Sequence, residues 1–130
     1  MELKIGIKGR MDITVTDEKS AIHLGSGLLP VFATPSMIAL MEETSSNSVY
    51  EALEPGSTTV GTLVNIAHLS ATPMGAKVYA ESELIAIDGR KLTFTVKAYD
   101  NVGLIGEGTH ERFIVYSEKF MAKTWAKLDK

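Results

Sequence analysis

The sequence predicts an α+β fold in which one antiparallel sheet wraps around a single long helix, with a short helix closing the chain. Residues 58 to 117 are rich in β-branched and apolar side chains, in runs broken by Thr72-Pro73-Met74-Gly75, Asp88-Gly89 and Asp100-Asn101-Val102-Gly103. Those are the residue types that reverse a chain between strands. Only one long stretch, from Thr34 to about Leu53, carries helix signals at both ends. A sheet with one apolar face needs a cover, and that helix is the only long element available to supply it.

The first element is a strand: Met11, Ile13 and Val15 alternate with Asp12, Thr14 and Thr16, the period-two pattern of a half-buried surface. A turn is expected over residues 17–20. Residues 21–33 hold Gly25, Gly27 and Pro30 and read as a loop over a pocket, with Leu24, Leu28, Leu29, Val31 and Phe32 lining it and no aromatic ring before Phe32. Thr34-Pro35 then starts the helix, a hydroxyl at the cap and a proline at the first helical position, where its missing N–H costs nothing. Glu54-Pro55-Gly56 ends it, because the residue before a proline is pushed out of the helical region. Four strands joined by tight turns follow as a meander. In KLTFTVKAYD, Leu92, Phe94, Val96 and Ala98 face one way and the polar residues the other; in LIGEGTHERFIVY, Gly106 and Gly108 point to a bulge or a close backbone approach. Phe120, Met121, Trp125 and Leu128 then fall at helical spacing.

Composition narrows the function. With 45% hydrophobic residues and no linker-like stretch, residues 1–130 read as one domain. Thirteen Lys plus Arg against sixteen Asp plus Glu leave a net charge of −3, which gives no footprint for nucleic acid or a membrane surface and favours a small-molecule partner. The absence of cysteine removes thiolate nucleophiles, and MELKIGIKGR lacks the apolar run of a signal peptide, so a cytoplasmic location is expected. His23, His68 and His110 lack close ligand spacing, so no metal is expected.

The chemistry begins with two adjacent acids in an otherwise apolar helix. Adjacent residues differ by about 100° of rotation, so Glu42 and Glu43 cannot share a direction. Thr34, Ile38, Met41, Glu42, Ser45 and Val49 follow one helical stripe, which places Glu42 toward the sheet and Glu43 toward solvent. An amphipathic helix with Glu42 at its margin would explain this without chemistry. His68 adds weight to the other reading, because strict alternation from Val60 through Thr62, Val64 and Ile66 turns its imidazole toward the same helix. A carboxylate, an imidazole and the Thr34 hydroxyl at a helix N-terminus make a set suited to proton transfer and to stabilising an oxyanion. His110 and Arg112 alternate onto one face of the last strand, where they contact substrate or a partner subunit, or simply form a polar sheet edge.

Four stretches carry a resemblance: VFAT with LMEE (31–43), GTLVNIAHLSATPMG (61–75), EGTHER (107–112) and EKFMAK (118–123). Together they resemble the fluoroacetyl-CoA thioesterase group of hotdog-fold proteins, over roughly residues 10 to 123. The resemblance implies a hotdog fold, a homodimer, and hydrolysis of acyl-CoA thioesters without a cofactor beyond the coenzyme A of the substrate. It assigns Thr34, Glu42 and His68 to catalysis and Gly61 to backbone that approaches the reacting carbonyl. Phe32 and Arg112 are the further substrate-binding candidates. Lys119, Lys123 and Lys127 form a stripe that meets coenzyme A phosphates or is merely solvated. Two other classes fit the fold, a non-catalytic acyl-CoA-binding protein and an enoyl-thioester hydratase or dehydratase. The latter would need an Asp and His on one segment, for which Asp17 and His23 are poorly spaced.

Overall fold

The computed structural model describes every residue from Met1 to Lys130. Strand β1 (Lys8–Thr14) is followed by a 3₁₀ turn over Asp17–Lys19 and a one-turn helix α1 (Ala21–Leu24), then by the long helix α2 (Thr34–Val49). Strands β2 (Ser57–His68), β3 (Lys77–Asp88), β4 (Lys91–Tyr99) and β5 (Leu104–Tyr116) precede helix α3 (Ser117–Trp125). The loop expected before α2 thus contains a helical turn, capped by the Ser20 hydroxyl accepting from the His23 amide at 3.1 Å.

All five strands form one antiparallel sheet in the order β1-β3-β4-β5-β2. The expected four-strand meander is therefore only partly right. β3, β4 and β5 do follow one another through tight turns, but β2 lies beside β5 at the edge instead of beside β3. Local turn chemistry fixes neighbours only where the turn is short, and residues 69–76 are long enough to cross the sheet. The β3–β4 turn has Gly89 and Arg90 at its centre with a positive φ of 61° at Gly89 alone, which fits glycine at the first central position.

Helix α2 lies on the concave face. Met37, Leu40, Met41 and Val49 pack with Leu84, Leu92, Phe94, Val96 and Ile105 in one core, as the alternation in β4 requires. Thr44 and Ser45 are buried in the same stripe, and their hydroxyls donate to the carbonyls of Leu40 and Met41 one turn back. The helix gives way to a 3₁₀ turn over Tyr50–Ala52 before Pro55 and Gly56, slightly short of the expected Leu53.

A bulge does lie beside Gly106, since Ala98 pairs with Gly106 and Tyr99 with Leu104, leaving Ile105 as the extra residue in β5. A second lies in the neighbouring strand β2. Gly61 pairs with Arg112 and Leu63 with Glu111, so Thr62 is the extra residue in β2. This breaks the strict alternation expected from Val60 to His68. Before the bulge, Ser57, Thr59 and Gly61 face α2; after it, the even-numbered residues through Ile66 and His68 do. Gly108 also permits a close approach, since a Cβ there would overlap the backbone oxygen of Asn65.

Candidate active site

Thr34 is the first residue of α2, with Ala33 in the cap position and no side-chain cap. The expected capping role is therefore unused, and the hydroxyl turns elsewhere: Thr34 Oγ1 lies 2.7 Å from Nδ1 of His68, at the end of β2. Pro35 has no amide hydrogen, while the amides of Thr34 and Ser36 have no backbone acceptor, as expected for the first turn of a helix. These donors and the helix dipole favour negative charge at this point. Burial lowers the pKa of His68 below the ordinary imidazole value, opposed in part by the Ser70 backbone, so the ring is a neutral base near pH 7. Its Nε2 is shielded from solvent and makes no hydrogen bond.

Beside this pair lies a cavity of about 310 Å³ lined by Val31, Phe32, Ala33, Thr34, His68 and Leu69 among others. Phe32 is also fully buried in the core, so it forms a fixed wall. Of the five apolar side chains expected to line a pocket, Leu24, Leu28 and Leu29 instead face solvent, Leu28 with 93% of its surface exposed.

The second cluster lies two turns along α2. Glu42 Oε2 is 3.8 Å from Nη1 of Arg112 and lies against Gly61, where a Cβ would come within 2.7 Å of it. Glu43 is exposed, as the phase argument required. Arg112 is fully engaged: Nε donates to Thr59 Oγ1 at 2.7 Å, Nη2 to the Thr59 carbonyl at 2.9 Å, and Nη1 to His110 Nε2 at 3.1 Å. Because His110 Nε2 accepts, its Nδ1 carries the proton and donates to the Leu63 carbonyl at 2.8 Å. His110 and Arg112 therefore do not form a polar edge; β5 is an interior strand and both are buried. Thr59, which completes this network, gave no signal in the sequence because it stands in an ordinary β-branched run.

Within one chain, the three sequence-predicted catalytic residues separate into two pairs, Thr34 with His68 and Glu42 with Arg112. Eight residues of helix, about 12 Å of axial rise, separate Thr34 from Glu42, and Glu42 makes no ion pair with His68. No three His, Asp or Glu side chains gather into a cluster able to hold a metal ion.

A helix wrapped by an antiparallel sheet, with functional groups at the helix N-terminus and along the edge strand, defines a hotdog protein of the thioesterase superfamily. A Thermus thermophilus member of that superfamily has a TM-score of 0.87 to this chain, with 26% identity over 97% of this chain and 93% of the other. The chain belongs to the FlK family of fluoroacetyl-CoA-specific thioesterases, whose sequence model it matches over residues 15–118. It is 37% identical over 131 aligned positions to the fluoroacetyl-CoA thioesterase of Streptantibioticus cattleyicolor, covering 96% of this chain and 94% of that one. The structure of FlK is similar to it with a TM-score of 0.92 and 36% identity over 98% of both chains. FlK variants have been solved with fluoroacetate and with acetyl-CoA. No helix of the present chain is long and apolar enough to cross a membrane.

Proposed function

We propose that this protein hydrolyses short-chain acyl-CoA thioesters to free acid and coenzyme A, and does so as a homodimer with Thr34, His68 and Glu42 at the site. The observation that carries this reading is the 2.7 Å contact between the Thr34 hydroxyl and His68 at the wall of a small, largely apolar cavity. In this reaction, His68 takes the proton of the attacking hydroxyl, the oxygen bonds to the thioester carbon, and the C–S bond breaks as the proton passes to the departing sulfur. The same proton path serves the Thr34 hydroxyl or a water held beside it; in the first case water then cleaves the acyl-threonine ester. The free amides of Thr34 and Ser36 are the donors for the developing oxyanion.

The dimer is supported by what each chain leaves unpaired. β2 is a free edge of twelve residues, His68 Nε2 has no partner, and Glu42 has only a long contact to Arg112. Antiparallel pairing of two β2 edges about Asn65, with the bulged residue looped out as it is against β5, sets Gly61 and its covering Glu42 opposite His68 of the other copy. That carboxylate then orients the imidazole from its Nε2 side, the part played by the acid in hydroxyl–imidazole–carboxylate sets.

The test is release of free thiol from acetyl-, fluoroacetyl-, propionyl- and butyryl-CoA. Residues 21–30 contain no aromatic ring to close over the acyl group, so several of these are turned over, with roughly tenfold to two-hundredfold discrimination per methylene. Exclusive use of the fluorinated substrate would contradict that selectivity, and no release from any would remove the thioesterase reading. Glu42→Gln and His68→Ala each lose about a hundredfold or more in kcat. Co-refolding the two variants regenerates about a quarter of the sites if chains pair at random; no recovery would rule out sharing across the dimer.

A further inference from the structure

A second cavity, of about 500 Å³, lies under α3 and is unconnected with the Thr34–His68 pair. Its floor is apolar, from Phe113, Val115 and Phe120, and its rim carries Arg90, Lys119, Lys123 and Lys127. The Arg90 guanidinium stands 5.0 Å over the Phe113 ring. None of the four cations is in a salt bridge, and no carboxylate lines the cavity, although the chain as a whole carries a net charge of −3. Lysines on a solvated helix face are normally scattered among acids; here three at four-residue spacing meet an arginine from the β3–β4 turn across two phenylalanine rings.

We infer that this groove binds a nucleotide carrying at least two phosphates, its base against Phe113 and Phe120 and its phosphates on Arg90, Lys119, Lys123 and Lys127. Aromatic faces accept a base by stacking, and unpaired cations on an exposed rim bind phosphate oxygens through charge-assisted hydrogen bonds. Such a nucleotide is either free in solution or the nucleotide half of coenzyme A. Within one chain, one acyl-CoA cannot span both sites: Gly106 of β5 faces His68, whereas Phe113 to Tyr116 lie seven to ten residues further on, roughly 23 to 33 Å at about 3.3 Å per residue. The groove is also on the other face of the sheet, since Arg112 points to α2 and its neighbours Phe113 and Val115 point away. In the dimer proposed above, the groove of one copy lies two strand spacings, about 10 Å, to the side of His68 in the other but on the opposite face of the sheet, so the substrate's own nucleotide occupies it only where the pantetheine arm passes the paired β2 edges. The coenzyme A source therefore rests on that reading, while the groove itself does not.

The experiment titrates the protein with adenosine 3′,5′-bisphosphate and follows binding by calorimetry. Wild type binds it saturably and more weakly at high salt, Lys119→Glu/Lys123→Glu binds about tenfold or more weakly, and Thr34→Ala binds as wild type does. If the occupant is the substrate's own nucleotide, the double variant raises KM for acetyl-CoA about tenfold with kcat unchanged, and leaves the kinetics of acetyl-pantetheine, which lacks the nucleotide, as they were. If the occupant is a free nucleotide, both substrates behave as with wild type and only the titration changes. Absence of saturable binding by wild type at millimolar ligand, or equal binding by the double variant, would overturn the inference. Failure of wild type to hydrolyse both acetyl-CoA and acetyl-pantetheine would count against the thioesterase reading instead.

Discussion

Replacing Gly61 by alanine places a methyl group 2.7 Å from Glu42 Oε2 and 3.3 Å from His110 Cε1. The movable neighbour is the carboxylate, so Gly61→Ala is expected to displace Glu42 and lower kcat by about tenfold to a hundredfold, with little change in thermal stability; unchanged turnover would remove Gly61 and Glu42 from the site. A second prediction concerns His110. Burial depresses its pKa; the Leu63 carbonyl and Glu42 oppose this while Arg112 adds to it, so the ring stays neutral in the fold. As pH falls below the ordinary value of about 6.5, the unfolded chain takes up a proton that the folded chain refuses, and stability is lost until the folded pKa is reached. Melting temperature should therefore drop as pH falls through about 6.5, and His110→Asn should flatten that drop. A slope unaffected by the substitution would place the titration elsewhere. The residue types were legible in the sequence, but the expected couple of His68 with Glu42 is not formed within one chain, where His68 meets Thr34 instead. The partners of Arg112 were not legible, because a hydrogen bond across three elements leaves no spacing in the chain.

Among the elements, β2 departs furthest from its pattern. Alternation alone puts Val60, Thr62 and His68 on one face; the extra residue at Thr62 turns the first half of the strand over and brings Thr59 and Gly61 beneath Arg112 and Glu42. A bulge is a property of two paired strands, which one strand's hydrophobicity does not encode. Gly108 belongs to the same pairing. A Cβ there runs into the Asn65 backbone, which cannot swing aside as a side chain can. Gly108→Ala should therefore destabilise the protein by about 1–3 kcal/mol, read from the urea midpoint, whereas no shift would mean that β2 and β5 have slack. The start of α2 was legible to within one residue, and that one residue matters: with Ala33 rather than Thr34 at the cap, the hydroxyl is left for His68.

For the whole molecule, the long free edge of β2 is the feature that calls for a partner. Edge strands of this length in monomers are usually shortened, charged or covered, yet Leu63 and Val64 stand near its middle with close to half their surface exposed. Val64→Lys puts a charge at the centre of the proposed pairing. It should convert the dimer to monomer in light scattering at micromolar concentration and abolish thioester hydrolysis together, while the circular dichroism spectrum is retained. A monomeric variant with full activity would separate catalysis from assembly.

The sequence by itself determined the α+β class, every strand from β2 to β5 to within a few residues and the single long helix, because periodicity and turn chemistry are local properties of a chain; Thr34, Glu42 and His68 entered as candidates through residue type and the family resemblance. Tertiary structure decided that β2 lies beside β5, that α3 shelters a cationic groove, and that Glu42 answers to Arg112 and Gly61 within its own chain while His68 answers to Thr34. Those are relations between residues far apart in sequence, set by how the sheet packs around the helix and by the bulges that shift its register.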